Sequence, residues 1–255
     1  MRLVKILLLM LYSVAVHAQS PVSQEQNNTA DLTRQLPADE IRMLEAQQPF
    51  LVLQRQSLTA ATKGTVILIP DGNEHAASAK NIDSLRQYLN EYGWNTLSVM
   101  PPATEALLHT ADALQQYQTA LQQRVNAAAQ LASQQVGSTI VIAQGNSAAA
   151  LNHLYVAGQL AEPAALILLG AYLPDEQLNR QLATAIASHQ VPTLDINLAY
   201  DNRFVMSQLK LRQQMANKLF KPVYRQRLLN GSGYNHDTQL WVLQEIYGWL
   251  SSVGL

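Results

Sequence analysis

The chain has 255 residues, enough for one domain with a sizeable core. Of these, 48% are hydrophobic and 14% charged, and the formal net charge is −1. That balance excludes wholesale disorder and leaves no basic footprint for nucleic acid or a membrane surface. The absence of cysteine excludes disulfides, thiolate zinc sites, a cysteine nucleophile and anchoring through a lipidated cysteine.

In chain order, the first segment reads as a targeting signal rather than as structure. Arg2 and Lys5 make a short positive head, Ile6 to Val16 an apolar run, and Val16-His17-Ala18 a small-residue cleavage site. The run falls well short of the ~20 residues needed to span a bilayer. Residues 1–18 are therefore expected to be a cleaved signal peptide, which in a Gram-negative bacterium means a periplasmic or secreted protein. No second long apolar run follows, so no membrane span is expected in the mature chain. Residues 19–38 are polar and without apolar periodicity, and are expected to be a flexible leader. Residues 39–255 are expected to be one folded domain.

That domain opens with a short expected helix around Ala38-Asp-Glu-Ile-Arg-Met-Leu-Glu-Ala and an edge strand at Phe50-Leu-Val-Leu-Gln-Arg-Gln-Ser. A repeated alternation then begins. Thr65-Val-Ile-Leu-Ile is short, β-branched and apolar on both faces, as a buried parallel strand must be. Ile82, Leu85 and Leu89 share one helical face, and Gly93 stops that helix. Trp94 to Val99 is the next strand, followed by a long Ala/Gln-rich helix to about Gln135 and the apolar strand Ser138-Thr-Ile-Val-Ile-Ala. A helix from Ser147, a strand at Ala165 to Leu169, and a helix from Asp175 to Ser188 continue the pattern. The strand Thr193 to Leu198, a helix from about Phe204 to Phe220, the strand Tyr224 to Leu229 and a final helix through Trp249 complete it. Strands alternating with helices of this length predict right-handed βαβ units. The expected fold class is α/β: a doubly wound, mainly parallel sheet in a three-layer αβα arrangement. Trp94, Trp241 and Trp249 are expected to pack between helices and sheet.

In open α/β sheets ligands sit beyond the carboxyl ends of the strands. Three residues just after strands carry chemistry in a meaningful order. Ser147 lies in Gln144-Gly-Asn-Ser-Ala-Ala, between a strand and a helix. Gly145 and Ala149 supply the small residues that a sharp nucleophile-bearing turn needs two positions before and after it. An ordinary helix cap at Asn146 or Ser147 would explain the same residues. Asp201 follows the strand at 193–198 and could orient an imidazole, or cap the next helix; Asp195, within the strand, is the alternate. His236, in the turn-rich Asn230-Gly-Ser-Gly-Tyr-Asn-His-Asp, could reach back over the sheet as a general base, or stand in solvent.

The order Ser, Asp, His after successive C-terminal strands carries a resemblance. Residues 64–251 resemble the α/β-hydrolase superfamily, and within it an uncharacterised branch of exported bacterial proteins. The resemblance rests on Gly64-Thr-Val-Ile-Leu-Ile-Pro-Asp-Gly, on Leu85-Arg-Gln-Tyr-Leu-Asn-Glu-Tyr-Gly-Trp-Asn-Thr-Leu-Ser-Val, on the turn from Gly145 to Ala149, on the spacing of Pro192 to Asp201, and on Ile246-Tyr-Gly-Trp-Leu. It implies Ser147 as nucleophile, His236 as general base and acid, and Asp201 as orienting carboxylate. The backbone N–H groups of Ala148 and Asn73 would form the oxyanion hole. Where that superfamily carries a His-Gly turn, this chain has Asp71-Gly72, and a carboxylate there opposes a developing oxyanion.

The implied reaction is cleavage of an ester, thioester or amide through an acyl-serine intermediate, on a substrate the sequence does not name. The alternative is a non-catalytic periplasmic binding or envelope-assembly protein on the same scaffold. The stretch from Gly170 to Val191 has room for about one helix, so no large lid is expected. No Gly-x-Gly-x-x-Gly or phosphate-cradling lysine motif occurs, so no cofactor is expected. Asp71, Glu74 and His75 lack metal-ligand spacing, so no metal is expected either, and His153 reads as a helix residue.

Overall fold

A computed structural model describes residues 23–103 and 108–255. The expected signal peptide therefore lies outside the described residues. Among the described residues, eight strands form one sheet: β1 (Ile41–Leu44), β2 (Phe50–Arg55), β3 (Gly64–Ile69), β4 (Trp94–Val99), β5 (Ser138–Gln144), β6 (Ala165–Leu169), β7 (Thr193–Leu198) and β8 (Tyr224–Leu229). Their order across the sheet is β1-β2-β4-β3-β5-β6-β7-β8. The β1–β2 and β2–β4 pairs are antiparallel, and every other pair is parallel. The sheet is thus mainly parallel, with the order reversing around β3.

The helices are α1 (Gln24–Gln35), α2 (Ile82–Tyr88), α3 (Ala111–Ala132), α4 (Gly145–Val156), α5 (Glu176–Ser188), α6 (Arg203–Met206), α7 (Leu209–Lys218) and α8 (His236–Ser252). Alternate residues of each central strand feed the two sides of the sheet. Ile67, Ile69, Val141, Ala143, Leu166 and Leu168 pack with Leu121, Val125, Leu151 and Leu182 of α3, α4 and α5. Val66, Leu68, Ile140, Ile142 and Ile167 pack instead with Ile82, Leu85, Val242 and Ile246 of α2 and α8. Two buried layers on one sheet give the three-layer αβα architecture that the alternation predicts.

Four local expectations are corrected. Residues 41–44 are a strand, not part of a helix; only Ala38–Glu40 is helical, as a 3-10 turn. The reason is tertiary: fully buried Arg86 pairs with Glu40 and with Asp83, tying the turn to α2 while the following residues add to the edge of β2. The helix expected from Phe204 to Phe220 is broken into α6 and α7 at Ser207-Gln208. Trp94 and Trp249 are buried as expected, but Trp241 is 40% exposed because it lies on the outer face of α8.

The fourth concerns the polar leader. Residues 24–35 form α1, which starts at a capping box between Ser23 and Gln26. Leu32 enters a small cluster with Leu51, Leu53 and Met100, and Glu25 pairs with the guanidinium of Arg124 at 2.8 Å. Leu32, the Glu25–Arg124 pair and the Ala103 N–H, which donates to Glu25 at 3.2 Å, hold a helix that is otherwise mostly polar. Leu32→Ala is therefore expected to cost about 2 kcal/mol. The loss should appear in hydrogen exchange as faster amide exchange across 24–35, with the central strands unaffected.

Candidate functional site

The candidate site lies at the carboxyl end of the sheet, where β3, β5, β6 and β7 stop. β5 ends on Gln144, still extended at φ −117° and ψ 145°. Gly145 then turns the chain at φ +58°, and α4 begins at once. A single left-handed residue between strand and helix is the apex of the turn, the position where a side chain would be held above the sheet edge. In this chain that position has no side chain. The small residues two places before and after the apex are Ala143 and Ser147, both fully buried.

The apex is thus Gly145, two residues before the expected nucleophile. Ser147 sits inside the first turn of α4 at 0% exposure, and its hydroxyl shares a 2.6 Å hydrogen bond with the Tyr117 hydroxyl of α3. Burial pushes the Tyr117 phenol up, so it stays neutral. Ala148 and Ala149 are also completely buried, on the flush surface by which α4 packs against its neighbours. The Ala148 carbonyl accepts a 2.7 Å bond from Asn152.

Asp71 fills the space above the apex. It follows β3, and its Oδ1 accepts the backbone N–H of Asn146, the first residue after the apex, at 3.1 Å. A β-carbon placed on Gly145 would lie 2.0 Å from Asp71 Oδ2. The carboxyl group thus occupies the place of an apex side chain and takes the N–H that would otherwise meet an incoming oxyanion. Burial raises the Asp71 carboxyl above the usual carboxylate range, against the lowering effect of the Asn146 and Gly72 backbone N–H groups and of Lys80. Asn73, the other expected oxyanion donor, lies exposed on the same loop. Its neighbour Glu74 accepts Ser78 Oγ and Gln144 Nε2, each at 2.7 Å, and burial raises its carboxyl as well. His75 Nδ1 accepts the Ala77 N–H at 3.2 Å.

The other two expected triad members are engaged elsewhere. Asp201 Oδ2 accepts the Leu198 N–H at 2.7 Å, and Oδ1 faces the Lys80 ammonium at 3.5 Å. It presses so closely on Gly170 (φ +54°) that a β-carbon there would stand 2.8 Å from Oδ2. The cap of the following helix is Asn202, not Asp201. His236 is the first residue of α8 and is exposed, its ring tilted over Tyr88 at 6.4 Å between centroids. The α8 cap is Asn235, which accepts the Thr238 N–H at 3.1 Å. Among the described residues, no hydrogen bond joins Ser147, Asp201 and His236. Asp195, the alternate acid, is fully buried in a bond network with Arg212, Tyr224 and Gln226.

Four residues that matter at this end of the sheet carry no sequence signal. Tyr117 comes from a long Ala/Gln-rich helix. Lys80 and Asn81 come from the loop before α2, where Asn81 is held at φ +66° and donates to Gln144 at 3.3 Å. Tyr172 follows β6, and burial with the Asp71 charge nearby pushes its phenol up.

The comparisons with known proteins agree on the class. Est1E from Butyrivibrio proteoclasticus is similar over 84% of this chain and 98% of its own, with TM-score 0.64 and 10% identity. An alpha-beta serine hydrolase homologue from Coxiella burnetii matches over 83% and 97%, with TM-score 0.61 and 14% identity. The esterase domain of a Rhodothermus marinus protein matches over 84% and 99%, with TM-score 0.60 and 12% identity. At these identities the likeness is one of fold, and the fold is that of the α/β hydrolases. The chain belongs to the protein family of unknown function DUF3530, whose description matches residues 6–120 and 109–252. No curated protein matches it.

Two outcomes test the turn. Gly145→Ala should destabilise the protein by more than the ~1–2 kcal/mol of a left-handed alanine, because its methyl also meets Asp71. Adding Asp71→Ala should recover part of that loss in a double-mutant cycle read by chemical denaturation. The second concerns pH. A carboxyl whose folded pKa is raised binds its proton more tightly in the folded state, so folding is disfavoured as pH rises through the folded value. Asp71→Asn should therefore raise Tm at pH 7, and the gain should shrink as pH falls into the usual carboxylate range.

Proposed function

We propose that this protein is an exported binding or envelope-assembly protein on a hydrolase-like scaffold, without acyl-serine chemistry. The observation that carries the reading is the apex of the β5–α4 turn, which is Gly145, with the Asp71 carboxylate seated over it and bonded to the Asn146 N–H. Acyl transfer needs a nucleophile at that point, a base in reach of it and free donors for the oxyanion. Here the side chain is missing, the donor holds an anion of the protein's own, and the imidazole expected as base is exposed at the start of α8. Export is supported by the N-terminal sequence of a positive head, an apolar run and a small-residue cleavage site.

The competing reading, a serine hydrolase acting through Ser147, draws its support from the esterases of like fold. It requires a hydroxyl at 0% exposure to give up its 2.6 Å bond to Tyr117 and emerge from α4. A fluorophosphonate probe separates the two. The mature protein should show no labelling above that of Ser147→Ala at neutral pH, measured by intact mass. Labelling that maps to Ser147 and vanishes in Ser147→Ala overturns the proposal.

A further inference from the structure

The α1 helix and the surface that receives it are unequally built. On the domain side stands Arg124 of α3, 6% exposed. Its guanidinium donates to the Met100 and Pro101 carbonyls at 2.8 and 3.0 Å and lies over the Phe50 ring at 5.1 Å. None of those contacts involves α1, so the domain alone aims the guanidinium. It meets Glu25 in a two-point contact: Nη1 stands 2.8 Å from Oε1, and Nη2 donates to Oε2 at 3.1 Å. The Ala103 N–H adds a third donor at 3.2 Å. Such a fork matches a carboxylate in shape as well as in charge. Beside it, buried Leu51, Leu53 and Met100 make an apolar floor for Leu32.

The occupant is the poorer half. Within 23–36, Glu25, Asn28, Thr29, Leu32 and Leu36 are the residues withdrawn from solvent, and their helical spacing marks the docking stripe. The centre of that stripe is polar, and Asn28 and Thr29 are also weak helix formers. A helix of 12 residues is marginal by itself. No residue of α1 enters the sheet, and Leu36-Pro37 ties it to the domain. A preorganised seat under a weak, tethered helix favours exchange. A better helix keeps the carboxylate contact, loses less entropy on ordering and buries more apolar surface.

We propose that Arg124, the Ala103 N–H and the Leu51–Leu53–Met100 floor form a helix-docking seat that α1 occupies as a displaceable strap. The partner is an amphipathic helix with a carboxylate, apolar residues three and four positions later, and a leucine seven positions later, the spacing of Glu25, Asn28, Thr29 and Leu32. The seat shares no residue with the Gly145 turn, so it stands or falls independently of the fluorophosphonate result.

The test titrates the isotope-labelled mature protein with a peptide of residues 23–36 carrying Asn28→Ala and Thr29→Ala, followed by amide NMR. The peptide should shift the Leu51, Leu53 and Met100 amides and move the protein's own α1 signals to disordered positions. The unsubstituted peptide should bind about tenfold more weakly, from helix propensity alone. Adding Glu25→Gln or Leu32→Ala to the double-alanine peptide should weaken it at least tenfold. In the protein itself, Glu25→Gln with Leu32→Ala removes the tethered competitor, so this variant should bind the double-alanine peptide at least tenfold more tightly than the wild type does. Its central strands should stay protected in hydrogen exchange, which shows the domain folded. No binding to that variant, binding indifferent to the peptide's Glu25 and Leu32, or binding that leaves α1 in place overturns the proposal. So does a concentration-dependent wild-type dimer in sedimentation that Leu32→Ala abolishes, which assigns the seat to α1 of a second copy.

Discussion

The placement of the Asp71 carboxyl over Gly145 is the constraint on which the carboxyl end of the sheet depends. It links the loop after β3 to the start of α4 through one hydrogen bond to the Asn146 N–H. It also dictates what the apex can be. With Oδ2 2.0 Å from an apex β-carbon, only glycine fits, and glycine is also the residue that accepts φ +58° without strain. A carboxyl at a helix start is electrostatically sensible, since the helix N-terminus and its free N–H groups favour negative charge. Burial opposes that pull and raises the Asp71 carboxyl above the usual carboxylate range.

The neighbouring half of the sheet is organised by charges with no route to solvent. Asp195 and Arg212 are both fully buried, and Arg212 also donates to the Ala171 carbonyl just past β6. Such a pair adds little net stability against an apolar replacement, but loss of one partner strands the other. Its structural effect is to fix α7 against β7 and to anchor the residue between Gly170, which receives Asp201, and Tyr172, which stacks on Phe204. A second buried chain runs from Lys221 through His189 to Asn152 and back to the Ala148 carbonyl of α4. Burial lowers His189 to about 3 and Lys221 to about 8, so the imidazole in that chain is neutral at physiological pH.

Most of the fold was legible in the residue pattern. The central strands are apolar on both faces, and only a strand covered by helices on both sides needs that; the helical segments between them then force parallel pairing. The misread elements are those set by single long-range contacts. The leader carries almost no apolar periodicity, yet Leu32 and Glu25 dock it. The segment after Pro37 has a helical composition, yet the buried Arg86–Glu40 pair and the free edge of β2 draw it into a strand.

The sequence by itself determined the class of fold, the end of the sheet where a site would form, and the turn between β5 and α4. It did not determine the frame of that turn. Small residues at alternate positions fit an apex at Ser147, flanked by Gly145 and Ala149, as well as one at Gly145, flanked by Ala143 and Ser147. Which frame is used depends on which residue takes a positive φ, and that follows from where β5 runs out of partners on β3 and β6. Asp71 decides the matter from the loop after a different strand, 74 residues before the apex in the numbering. Residue types and spacings record the local conformational options of a chain; the carboxyl that excludes one of them arrives only when β3 and β5 lie side by side.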